Sequence, residues 1–118
     1  MAPIRVLLVD LPTWFRDVIN AALGDRTDMV LVDRTATVDL ESVVRQSGAN
    51  VVIAKLVDGV LPPPSSGLLR LSPPVAVIGV GHGEARTVVE MGDVLLEDLL
   101  EISRVAGVAA MNWELTGS

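Results

Sequence analysis

Apolar residues fall in short runs, and the runs differ in period. Ile4–Val9, Met29–Val32, Val51–Ala54 and Val75–Val80 are nearly continuous in Val, Leu and Ile, as strands buried on both faces of a sheet are. A shorter run, Val94–Leu96, reads as a fifth strand. The segments between them switch to the helical period. Over Thr13–Leu23, Trp14, Val18 and Ala22 lie beside Phe15, Ile19 and Leu23 at i, i+4 spacing, and Gly24 closes the helix. Asp39–Gln46 gathers Leu40, Val43 and Val44 on one face and is stopped by Gly48.

After the third strand the pattern degrades. Pro62-Pro-Pro-Ser-Ser-Gly67 is incompatible with a helix interior, and Pro73-Pro74 blocks extension, so only Gly67–Leu71 is left for a crossover helix. The next crossover, expected as a helix over Glu84–Met91, is also short. The final helix is signposted by Asp98 as N-cap with Glu101 three residues on, the spacing of a capping box. Leu99, Ile102, Ala106, Ala109 and Trp113 then share a stripe, Gly107 weakens the middle, and a short tail is expected after about Met111.

Strand–helix alternation of this kind implies right-handed crossovers and a parallel sheet with helices on both faces. The expected fold is α/β: a flavodoxin-like, doubly wound sheet of order 2-1-3-4-5 with shortened third and fourth helices. It forms a single domain over 1–118, with its core at about 3–110. Sites in such sheets form beyond the carboxyl ends of the strands, at the switch point between strands 1 and 3. Asp10, Lys55, Gly79–Gly83 and Glu97 fall at those ends.

Composition narrows the function classes. Half of the 118 residues are apolar and the net charge is −6, which argues against disorder and against a nucleic-acid surface. No cysteine is present, which removes disulfides, thiolate chemistry and Cys-ligated zinc. The amino-terminal segment lacks a long apolar stretch with a cleavage site, and no run approaches membrane-spanning length, so a cytoplasmic domain without membrane contact is expected. The mean hydropathy of +0.52 exceeds what a small sheet core requires and suggests an apolar contact surface.

Ile4-Arg-Val-Leu-Leu-Val-Asp10, followed by Trp14-Phe-Arg-Asp, resembles the opening of response-regulator receiver domains. The likeness runs through Ala49-Asn-Val-Val-Ile-Ala and Pro74-Val-Ala-Val-Ile to Leu95-Leu-Glu97-Asp98. The resemblance implies an acid pair after strand 1 that binds Mg²⁺ and a phosphoacceptor aspartate after strand 3. It further implies a Ser or Thr after strand 4 and a lysine after strand 5. This chain has Asp10 but Leu11 at the acid pair, Lys55 at the acceptor, Gly79 at the hydroxyl position and Glu97 at the lysine. An ammonium cannot form an acyl phosphate, and a cation beside a leucine spoils an oxygen-ligand site. The chain therefore looks like a degenerate pseudo-receiver: not an enzyme, with no cofactor or metal, acting in signal transduction through a protein partner or as a homodimer. Asp58 is a poor substitute acceptor, because it lacks paired acids and strand-end placement.

Lys55 and Glu97, a charge exchange between two strand ends, are expected to pair with Asp10 nearby and to fix the surrounding loops. Gly79, Gly81, His82 and Gly83 form a glycine-rich segment that suits either a tight turn or a loop receiving an anion. That second option supports an alternative function, small-molecule sensing at the strand-end crevice. Leu99, Ile102, Ala106 and Trp113 are the expected interface.

Overall fold

The computed structural model describes residues 3–24, 27–32, 40–61, 67, 75–81, 84–89 and 96–116. Its elements are β1 (Ile4–Val9), α1 (Thr13–Leu23), β2 (Met29–Val32), α2 (Leu40–Ser47), β3 (Val51–Lys55), β4 (Ala76–Gly81), β5 (Glu84–Val89) and α3 (Leu96–Thr116). The sheet has the order β2-β1-β3-β4-β5. The first three pairings are parallel: Val6 faces Val51, and Ile53 faces Ile78.

β5 departs from the expected fold. Residues 84–89 form a strand rather than a crossover helix, and β5 pairs antiparallel with β4, from Gly81↔Glu84 to Val77↔Val89. The β-branched run Thr87-Val88-Val89 suits a pleated surface better than a helix. Only His82 and Gly83 separate the two strands, a connection length that brings the chain straight back along its neighbour. A register shift falls between Val77 and Ile78, where β5 advances two residues for one on β4. Of the fifth strand expected at 94–96, Leu96 opens α3, and residues 94 and 95 lie outside the described residues.

Alternation along the strands sorts the core onto two faces. On one, Val6, Val51, Ile53, Ala76, Ile78 and Val80 meet Phe15, Ile19 and Leu23 of α1 and Leu99, Ile102, Val105, Ala106 and Ala109 of α3. On the other, Leu7, Val9, Val52, Ala54, Val75 and Val77 meet Val44 of α2 together with Leu56 and Leu61. Each fully buried side chain of this size contributes roughly 1.5–3 kcal/mol relative to exposure.

α1 keeps the expected bounds, with Phe15, Ile19 and Leu23 as its buried row. The Trp14 ring meets Phe15 edge-on at 5.7 Å. α2 ends on Gly48 in the left-handed region, φ 70°, and the Gly48 and Ala49 N–H groups both donate to the Val44 carbonyl. Arg5 on β1 donates through Nη1 to the Ser47 carbonyl, 3.2 Å away, setting a cation at the helix's negative end.

α3 begins at Leu96, which places Asp98 within its first turn rather than ahead of it, where an N-cap stands. Glu101 accepts two hydrogen bonds from Arg104. The helix continues through Gly107 to Thr116, where a tail was expected. A Cβ built at Gly107 would lie 3.9 Å from that of Ala85, so the weak point of the helix is where it rests on β5.

Candidate functional site

The carboxyl ends of β1, β3 and β4 gather Asp10, Lys55 and Gly81 at one edge of the sheet. Asp10 follows β1, exposed, with a left-handed φ of 56°. Aspartate tolerates that conformation better than most residues, because its short carboxylate bonds locally. Leu11 next to it is half-buried and packs against the α1–α3 core, so the second acid position of the resemblance is occupied by a core residue. Lys55 is the half-buried last residue of β3, opposite Val80.

Glu97 lies elsewhere. It is an exposed residue in the first turn of α3, not the end of a strand. β5 returns the chain to the level of Val77. α3 reaches Ala85, whose partner Val80 is level with Lys55, only at Gly107. The ten residues from 97 to 107 span about 15 Å of helix, which sets Glu97 toward the opposite edge of the sheet. The expected pairing of Lys55 with Glu97 thus loses its premise.

Gly79 has a specific steric role. It sits in β4 between Ala54 of β3 and Arg86 of β5. A Cβ at Gly79 would come within 2.5 Å of Leu56 Cδ2 and 3.0 Å of Leu56 Cγ. The missing side chain is therefore room for a buried leucine rather than a vacancy for a ligand or a lost hydroxyl. Gly81 is also a β4 residue and is buried. These two glycines belong to a strand, not to an anion-binding loop; His82 and Gly83 lie outside the described residues.

Residues 56–61 complete this edge, and of them only Asp58 stands out in the sequence. The Leu56 N–H donates to the Val80 carbonyl at 2.7 Å, extending the β3–β4 ladder past Lys55. Val57 and Val60 exchange two backbone hydrogen bonds, 2.8 and 3.0 Å, around Asp58 and Gly59. Both turn residues have left-handed φ, 54° and 77°, as the primed two-residue hairpin turn requires. Asp58 is thus a turn former at an exposed tip. Arg86 donates through Nη2 to the Gly59 carbonyl at 2.7 Å. The Asp-Gly dipeptide was the available sequence signal.

The interface expected on α3 is also revised. Leu99, Ile102 and Ala106 are 1%, 1% and 0% exposed and form core; the Trp113 side chain lies outside the described residues. The helix turns Leu100 and Val108 outward instead, 58% and 48% exposed. Between them Arg104 pairs with Glu101 at 2.6 Å, which holds the guanidinium charged beyond its ordinary basic range.

Among the described residues, no group of three or more His, Cys, Asp or Glu side chains could hold a metal ion, and no helix is long and apolar enough to cross a membrane. Compared with family models, curated proteins and solved structures, the chain matches none.

Proposed function

We propose that this chain is a receiver-like regulatory domain that works without phosphoryl transfer, through contacts with a protein partner and as a homodimer in the cytoplasm. One observation carries the reading. In a sheet of order 2-1-3-4-5, the central strand β3 delivers an ammonium, Lys55, to the switch point where a receiver presents its acceptor carboxylate. Leu11, packed into the core beside Asp10, supports it, because the acid pair cannot be rebuilt by a side-chain rotation. β5 adds a second departure: it runs antiparallel, so among the described residues no parallel fifth strand ends at the site. The outward Leu100 and Val108 supply apolar surface suited to self-association. The small-molecule reading is weaker, since Leu56 fills the notch at Gly79.

The test joins two measurements on the purified chain. Incubation with a small acyl-phosphate donor and Mg²⁺, followed by intact mass, is expected to leave the mass unchanged. Sedimentation velocity is expected to give a dimer. A stoichiometric phosphoryl adduct, or a monomer at all accessible concentrations, would overturn the corresponding half of the proposal.

A further inference from the structure

Ala54, Gly79 and Arg86 lie in one register row across β3, β4 and β5. The first two have little or no side chain, so the row forms a shallow trough on the α2 side of the sheet, ending at a guanidinium. Residues 56–61 lie along that trough. Leu56 fills it over Gly79, 6% exposed, with its Cδ2 where a Cβ would otherwise stand. Leu61, 8% exposed, returns the segment to the same core. Between these two anchors, the tip at Asp58–Gly59 reaches Arg86 of β5.

We infer that residues 56–61 are a strap latched across the sheet by Arg86, so that the strap and the edge strand β5 move as one unit. The chemistry of the latch supports this. Gly59 φ is 77° and that of Asp58 is 54°, and each is held by the paired hydrogen bonds of Val57 and Val60. That closed turn aims the Gly59 carbonyl outward at a fixed place. A charge-assisted hydrogen bond to such a carbonyl is stronger than a neutral one. Arg86 sits opposite Gly79, so the same β4 position that admits Leu56 sets the register of the latch. The strap also displays Val57 and Val60, 50% and 64% exposed, as a pair across a two-residue turn. Any contact that shifts β5 therefore disturbs this exposed apolar pair. Arg86 is a positioning residue in this arrangement. The latch does not depend on the receiver-like reading and can fail or hold separately from it.

Hydrogen exchange by NMR on the full chain tests the latch, with Arg86→Met keeping the aliphatic stem and removing the donors. The Val57 and Val60 amides are expected to exchange about tenfold faster, the size expected for losing one such bond, while the Leu7, Val52 and Ile53 amides keep their wild-type rates. Unchanged rates at Val57 and Val60 would overturn the inference. So would an equal acceleration at Val52 and Ile53, which would mean a general loss of stability with no local latch.

Discussion

The two faces of the sheet are closed in different ways. One is covered by two helices, α1 and α3, whose large side chains meet the strands in a continuous core. Among the described residues, the other is covered by one short helix, α2, and by a strap of residues 56–61 seated in a trough. The helical face spreads its stability over many interlocked residues. The strap face concentrates its fit at a few backbone positions where a single atom decides the outcome. Functional change in such a molecule is easier to place on the second face, where local opening does not require unpacking α1 or α3.

Four substitutions sharpen that contrast. Ile102→Ala on the helical face removes a side chain that is 1% exposed and is expected to cost about 2–5 kcal/mol, measured by chemical denaturation. A loss below that range would mean that α3 covers the face loosely, and the contrast would collapse. On the strap face, Gly79→Ala adds one carbon 2.5 Å from Leu56 Cδ2, which overpacks the trough at a cost of about 1–3 kcal/mol. Combining it with Leu56→Ala should cost clearly less than the sum of the two single changes, since the new methyl then has room. Simple additivity would show that Leu56 does not occupy the notch.

The smallest effect is at Gly59→Ala. Nothing lies within 4 Å of a Cβ at Gly59, but its φ is 77°, so only backbone strain opposes the change, about 1 kcal/mol. The two glycines are required for opposite reasons: Gly79 for space and Gly59 for conformation. Gly59→Ala should lower stability without coupling to Leu56→Ala, and coupling would unite what the structure separates.

The sequence was most readable where local signals and burial agree. α1 could be read because Phe15, Ile19 and Leu23 repeat at one helical phase between a proline and a glycine. α2 could be read because Gly48 supplies the left-handed stop. The four apolar runs became β1 to β4 nearly in place and in the expected order, while the fifth place is taken by residues 84–89 rather than 94–96. Residues 84–89 were misread because the alternation rule expects a crossover there, and it outweighed Thr87-Val88-Val89. Only pairing with β4, a tertiary fact, decides that segment. The same error moved Glu97 to a strand end, and with it the proposed charge exchange. At the candidate site, Asp10 and Lys55 could be placed from sequence because the first follows a well-marked strand and the second ends one. The purpose of Gly79 could not, since it depends on which side chain lies over β4. Leu99, Ile102 and Ala106 were correctly seen as one stripe, but a stripe does not say whether it faces the sheet or a partner.

The antiparallel β5 also bears on how the chain reaches this state. Each parallel pairing in the sheet must wait for a long stretch of intervening chain to be gathered, an entropic cost met before the contacts form. The β4–β5 pair joins neighbours separated by two residues, and hairpins of that kind close on the microsecond scale. The carboxyl-terminal edge therefore has a local route to order that β1, β2 and β3 lack. α3 packs against that hairpin, with Gly107 meeting Ala85 near the start of β5. A domain with an early-forming edge of this kind has lower contact order than an all-parallel sheet of equal length, and folds faster for it.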